Sequence, residues 1–268
     1  MTCACGHHHS PRHQHDAKGA PVALKRPMFA LSGRLICRDA GQMMTALSLL
    51  PEHIALSRAE PGCLQFDLWQ DEDPMVWHLS ELFVDADAFA VHGKRTQDSA
   101  WGREGAGIGR DFHPRDVTPV IRRETRQDLD AIDALLRDAF GGDAEAGLVR
   151  RLREDGDLSL SLVADAAGTI VGHAALSPLD ADRPAHALAP VAVAPKAQRL
   201  GIGATLVHQA LAWADGAAVV VLGDPGYYGP LGFKPADLAT PYAGPGLQIV
   251  GTLPQGSAVR HAPAFAAL

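Results

Sequence analysis

Seven residues, Gln198-Arg199-Leu200-Gly201-Ile202-Gly203-Ala204, follow an apolar stretch from Ala187 to Ala194 and precede a helix-like run from Thr205 to Ala214. A strand, a glycine-rich turn and a helix start make a phosphate cradle. Gly201 and Gly203 let the backbone approach an anion without side-chain collision, and the helix points free amides and its positive dipole end at it. The expected ligand carries a pyrophosphate. Position 206 is Leu206, so the G-x-G-x-x-G dinucleotide pattern is incomplete, and the Gly-Lys-Ser/Thr of a P-loop is absent. A glycine turn that merely opens an ordinary helix is the alternative, and the neighbouring segments weigh against it.

The loop resembles the Gln/Arg-x-x-Gly-x-Gly/Ala signature of the GCN5-related N-acetyltransferases (GNAT), which hold the pyrophosphate of acetyl-CoA. After a β-branched strand at Val219 to Leu222, Gly223-Asp224-Pro225-Gly226-Tyr227-Tyr228-Gly229-Pro230-Leu231-Gly232-Phe233 is similar to a segment of one acetyltransferase subfamily. Ile121-Arg122-Arg123-Glu124-Thr125 with Asp128 resembles the first strand and capped helix of that fold. Ser161 to Leu176, turning at Asp165-Ala166-Ala167-Gly168, reads as a hairpin with a typical Ile170-Val171-Gly172-His173 arm. The ending Val259-Arg260-His261-Ala262-Pro263-Ala264-Phe265 is similar as well. The resemblance covers residues 118–268 and implies acetyl transfer to a small-molecule amine, with acetyl-CoA as co-substrate.

Amine acetylation needs a neutral amine, a polarised thioester carbonyl and an acid for the departing thiolate. The resemblance implies a bulged strand whose amides, near Val191, Ala192 and Val193, meet the pantetheine arm; Pro190 has no amide and suits a bulge. Tyr228 is the preferred general acid and Tyr227 the competitor, with an aromatic pair packing the Pro225/Pro230 turn as the alternative. No carboxylate occurs between Leu188 and Ala194, where many relatives carry a glutamate base. His173 or a water chain is the substitute, although His173 also reads as a buried hairpin residue. Acceptor loops are expected at Ser177 to His186 and Tyr242 to Leu247.

The first half carries a different pattern. Phe29 to Arg38 reads as a strand, and Gln42 to Arg58 as a helix from the spacing of Met43, Met44, Leu47, Leu50 and Ile54. Cys63 to Gln70 alternates, with Leu64, Phe66 and Leu68 on one face and Gln65, Asp67 and Trp69 on the other. A loop at Asp71 to Pro74, a strand from Met75 to Val84, a helix from Asp85 to Arg95 and a last strand near Ile108 to Phe112 complete a β-α-β-β-α-β order. That order predicts a ferredoxin-like α+β layer with one sheet face covered by helices.

The runs Glu60 to Pro74, Trp77 to Phe83 and Ala88 to His92 closely resemble the antibiotic biosynthesis monooxygenase family. The resemblance implies a homodimeric α+β barrel formed sheet to sheet. It also implies oxygen-dependent oxidation of a quinol or phenol without flavin or metal, for which the protein supplies a base, a polar anchor and a dry pocket. His92 is the matched base or anchor, with Glu81 and Trp69 as pocket walls. The alternatives are that His92 packs its helix, Glu81 pairs with Arg95 and Trp69 lies in an interface. A purely dimerising or ligand-sensing role for this half is also open, as is the converse, in which catalysis belongs to this half and the second half only binds CoA.

At 268 residues and 47% hydrophobic, the chain suits two modest cores. The expected divisions are a disordered Cys/His-rich tail at 1–27, a monooxygenase-like domain at 28–112, a linker at 113–119 and a GNAT domain at 120–268 with a mixed, bulged sheet. The net charge is −7 and neither half is basic, which argues against nucleic acid as a partner. Cys3, Cys5, His7, His8 and His9 are too tightly spaced for a folded zinc site. Cys37 and Cys63 read as buried free thiols. The absence of a long apolar span or secretory h-region predicts a soluble cytoplasmic protein without a membrane partner.

Overall fold

The computed structural model describes residues 21–267. The first half builds a four-stranded antiparallel sheet from β2 (Met28–Ile36), β3 (Cys63–Gln70), β4 (Val76–Phe83) and β5 (Gly109–Val117), in the order β3-β4-β2-β5. Helices α1 (Ala40–Ala59), α2 (Ala86–Asp98) and the short α3 (Ala100–Glu104) lie on one face. Asp39 and Asp85 cap α1 and α2, accepting from the amides of Gln42 and Ala88 at 2.9 and 2.8 Å. Phe66, Leu79, Phe83, Leu31 and Leu35 fill the space beneath the helices.

The second half is an eight-stranded mixed sheet. It is assembled from β6 (Val120–Arg123), β7 (Leu160–Ala166), β8 (Thr169–Leu179), β9 (Ala185–Val193), β10 (Ala218–Leu222), β11 (Lys234–Pro235) and β13 (Leu247–Val250), with β1 (Val22–Ala23) at its edge. Strands β12 (Leu238–Ala239) and β14 (Ser257–Ala258) form a small separate pair. Helices α4 (Leu129–Phe140) and α5 (Ala144–Glu154) cover one face and α6 (Ile202–Ala214) the other; α7 (Pro225–Tyr228) is a single turn. Thr125 and Asp128 make the expected capping box, and Arg122 pairs with Asp128 at 2.7 Å. The hairpin β7–β8 turns through Ala167 and Gly168, both at positive φ.

Two boundaries differ from the sequence reading. The proposed linker at 113–119 is no hinge, because β5 runs on to Val117 and pairs residue by residue with β2, Pro114 opposite Leu31. β5 is an edge strand, so the missing proline amide costs no ladder bond to an outer neighbour. The proposed tail at 1–27 contains β1, which pairs antiparallel with β6, Val22 opposite Ile121. The Cys3 to His9 cluster lies outside the described residues.

The halves share a core. Met28, Ala30, Leu82 and Val117, from the sheet face that the helices leave open, belong to the same buried cluster as Ile121, Leu160 and Ile202 of the second half. Lys196 Nζ reaches across to donate to the carbonyls of Arg58 and Cys63 at 2.6 and 3.1 Å. Thr169 donates to Gln65 across the same seam. Among the described residues no helix is long and apolar enough to cross a membrane.

Candidate active site

The glycine loop sits where the sequence puts it, between the end of β9 and the start of α6. Arg199 and Gly201 both adopt left-handed backbone, with φ of 65° and 85°. Two left-handed residues separated by one position turn neighbouring amides toward one side, as in an anion nest. Holding Arg199 there costs on the order of 1 kcal/mol, since a β-carbon is disfavoured in that region. The first helical bond runs from the Thr205 amide to the Gly201 carbonyl at 3.1 Å, so the amides of Ile202, Gly203 and Ala204 have no intrahelical partner. A β-carbon on Gly201 would meet nothing within 4 Å, so the loop mouth is open.

Gly203 has a second duty beside the one its spacing suggests. A β-carbon there would collide with the Tyr227 hydroxyl and press on Val193 at 3.4 Å. Its bareness therefore admits a phenol against the first turn of α6.

Beside the loop, the sheet splits. β9 and β10 pair in parallel only from Ala185/Ala218 to Ala187/Val220, although β9 continues to Val193 and β10 to Leu222. The parting coincides with a bulge. Between the Leu176↔Leu188 and Ala174↔Val191 pairs, β9 uses one residue more than β8, and Ala189–Pro190 occupies that stretch with a cis peptide bond. The expectation of an irregular Pro190 is thus met, and proline removes no ladder donor there.

The opened strands flank a cavity of about 550 Å³, lined by Leu188 to Val191, Val221 to Gly223 and Tyr228, with Glu145 and Leu148 from α5 and Tyr242, His261 and Phe265 from the C-terminal segments. Burial pushes the Tyr228 phenol up to about 12, so it keeps its proton at neutral pH. Tyr227 is 41% exposed and does not line the cavity; its hydroxyl lies over Gly203 instead. Of the strand residues, Val191 lines the cavity, Ala192 is buried opposite His173, and Val193 rests against Gly203.

His173 is no base. It is fully buried, hydrogen-bonded through Nε2 to Ser161 Oγ at 2.9 Å, and Ser161 in turn donates to Glu124, which Arg153 also holds. Burial lowers its pKa to about 4, and it packs structurally between β7 and β9. Of the expected acceptor loops, Tyr242 and Leu247 face the cavity, whereas Ser177 to His186 form the β8–β9 hairpin outside it. Glu145 and His261 had no assigned role in the sequence. His261 stands in a motif quoted for its resemblance, and α5 announces itself only through Ala146, Val149 and Leu152 on one face.

The first half has a cavity of its own, about 640 Å³, between its sheet and helices. Glu81 and His92 both line it, as expected, together with His53, Trp101 and Arg110. His92 Nδ1 meets Glu60 Oε2 at 3.0 Å, and Arg95 binds Glu60 at 2.8 Å. Arg95 therefore pairs with Glu60, not with Glu81. Glu81 Oε2 is buried without a hydrogen-bond partner, 4.0 Å from His92 Nε2. Burial, aided by the charge of Glu60, pushes its carboxyl up to about 8. Burial also holds His92 below the usual imidazole value, and lowers His53 to about 3. Trp69 is not a wall of this cavity: it is 51% exposed on the other sheet face and stacks on His78 at 5.4 Å.

Comparison with known proteins agrees with this division. The acetyltransferase (GNAT) family model matches residues 129–223, and the antibiotic biosynthesis monooxygenase model matches residues 39–102. An uncharacterized N-acetyltransferase of Escherichia coli K12, YhbS, is 45% identical over 122 residues, which are 43% of this chain and 73% of that protein. The crystal structure of E. coli YhbS in complex with CoA shares 36% identity at a TM-score of 0.53, covering 56% of this chain and 93% of that one. A GNAT family acetyltransferase from Brucella melitensis, solved with acetyl-CoA, shares 35% identity at a TM-score of 0.48 over 54% of this chain and 96% of that one. With the nest, the bulge and the split between β9 and β10 all falling inside the matched region, the chain belongs to the acetyltransferase (GNAT) family and carries an antibiotic biosynthesis monooxygenase domain ahead of that unit.

Proposed function

We propose that the second half transfers an acetyl group from acetyl-CoA to the nitrogen of a small-molecule amine. The observation that carries this reading is the continuity of an open amide nest with a bulged, parted sheet and a protonated phenol. The amides of Arg199, Leu200, Gly201, Ile202, Gly203 and Ala204 would hold the pyrophosphate, with the α6 dipole behind them, while Gln198, whose own amide donates to the Pro195 carbonyl, opens the loop. The backbone of Val191, Ala192 and Val193 would run beside the pantetheine arm, and one amide near the bulge would polarise the thioester carbonyl. Tyr228 would supply a proton to the leaving sulfur. It lines the cavity and Tyr227 does not, which favours it as the acid.

Titration calorimetry with acetyl-CoA and thiol release in the presence of amines test the assignment. Tyr228→Phe should lower kcat about 100-fold while leaving acetyl-CoA affinity within about twofold. Absence of acetyl-CoA binding by the intact chain would remove the reading altogether.

A second activity is supported by the first-half cavity. A base held at Nδ1 by Glu60, a buried unpaired carboxyl and apolar walls suit a quinol or phenol that reacts with oxygen without flavin or metal. His92 would take the phenolic proton and Glu81 would face the ring oxygens. Oxygen uptake with hydroquinone measures this directly, and a rate equal to the buffer blank would leave the domain with a binding or assembly role. In the same reading the chain works in the cytoplasm as a homodimer, joined through the part of the open sheet face around Ile36 and Trp69, both exposed.

A further inference from the structure

We infer that the cavity between β9 and β10 accepts a primary amine borne on an apolar, aromatic-sized body without a carboxylate, with Glu145 attracting the ammonium and His261 taking its proton. This rests on the acetyl-transfer reading above. The walls argue for the body: Tyr228, Tyr242, His261, Phe265 and Phe140 surround the space with rings. Tyr242 and His261 meet edge to face at 4.8 Å, and His261 lies 5.0 Å from Phe265. Tyr242 is fixed by donating to the Phe265 carbonyl at 3.0 Å, so its ring is a firm wall.

The charges argue for the head group. Among the residues lining the cavity there is no lysine or arginine, and Glu145 is the one carboxylate. It stands in the first turn of α5 with no ion-pair partner among the described residues. A cation is drawn in and a carboxylate is repelled. His261 Nδ1 is buried without a hydrogen-bond partner, and burial holds the imidazole below its usual pKa. A neutral imidazole with a free lone pair is the state a base requires. The other titratable groups on the cavity are Glu145, Tyr228 and Tyr242.

The chemistry balances on these residues. His261 accepts one proton from the ammonium, whose own acidity rises in an apolar enclosure. The freed nitrogen lone pair attacks the acetyl carbonyl carbon and a C–N bond forms. Tyr228 gives its phenol proton to the sulfur as the C–S bond breaks with its electron pair on sulfur. The second nitrogen proton restores the phenol, and His261 releases the first to solvent. An ammonium and a thioester thus yield an amide, a thiol and one proton.

The test compares 2-phenylethylamine, L-phenylalanine and spermidine as acceptors for the full chain, with calorimetric binding of each to protein saturated with CoA. Phenylethylamine should bind, and its kcat/KM should exceed that of phenylalanine at least about 100-fold, because only the carboxylate differs. Glu145→Gln, a substitution at a partly exposed helix start, should raise its KM about tenfold with kcat little changed. His261→Gln should lower kcat about 100-fold and abolish the acid limb of the pH profile. Preference for phenylalanine or spermidine, or no calorimetric binding of phenylethylamine while acetyl-CoA still binds, overturns the acceptor assignment alone. Failure of acetyl-CoA itself to bind overturns both readings.

Discussion

Replacing Glu81 by glutamine should change how the stability of the first half depends on pH. The Glu81 carboxyl is 4% exposed, its Oε2 is unpaired, and its pKa is pushed up to about 8 by burial and the charge of Glu60. A raised carboxyl favours the folded state while it stays protonated. The contribution is complete below the unfolded carboxylate pKa and is lost as pH rises through the folded value. His53 and His92, whose imidazoles are held low, act in the opposite sense, but wild type and variant both carry them, so their effect cancels in the difference between the two proteins. Between about pH 6.5 and 8 the folded chain therefore retains a Glu81 proton that the unfolded chain has released. Each pH unit costs about 1.4 kcal/mol, roughly 2 kcal/mol across the window.

Glu81→Gln removes that slope. The amide is still buried, so an offset of about 1–3 kcal/mol that does not vary with pH is expected beside it. Three of the four tryptophans, Trp69, Trp77 and Trp101, lie in the first half, so urea unfolding followed by tryptophan fluorescence reports chiefly on it. Between the two pH values the stability of the wild-type chain should fall by about 2 kcal/mol relative to that of the variant. Parallel pH dependences for the two proteins would refute the argument, since they would mean that Glu81 titrates alike folded and unfolded.

Two more outcomes follow from close contacts. Gly203→Ala should displace the Tyr227 ring from the first turn of α6 and weaken acetyl-CoA binding, by about tenfold in calorimetry; unchanged affinity would mean that the phenol plays no part in shaping the loop. Lys196→Met leaves the Arg58 and Cys63 carbonyls without their charged donor and should cost about 0.5–1 kcal/mol, seen as earlier urea unfolding of the first half; a stability equal to wild type would show that the apolar seam alone joins the units.

What the sequence revealed was what short stretches determine. The strand, loop and helix around Gly201, the β7–β8 hairpin, the Asp85 cap and the Thr125/Asp128 box all depend on neighbours within a few positions. Trp69 is instructive because two signals disagreed. Alternation set it opposite Phe66 and Leu68, whereas resemblance made it a pocket wall, and in the fold alternation prevails. The linker expected at 113–119 fails for the converse reason, since Pro114 and Pro119 mark a local break but carry no information about whether a strand is an edge. Glu145 and His261, like the Glu60, His92 and Arg95 cluster, meet only through tertiary packing, which spacing does not encode.

The pairing of β1 with β6 bears on how the two units move. The Leu24 amide donates to the Pro119 carbonyl at 2.8 Å, so the chain leaves and re-enters the larger sheet at neighbouring points. Residues 25–118 are in effect an enormous hairpin tip. End-to-end joining gives beads on a single string, free to swivel; here a doubled tether bears any torque, and a protease cut on one side would leave the other side still attached.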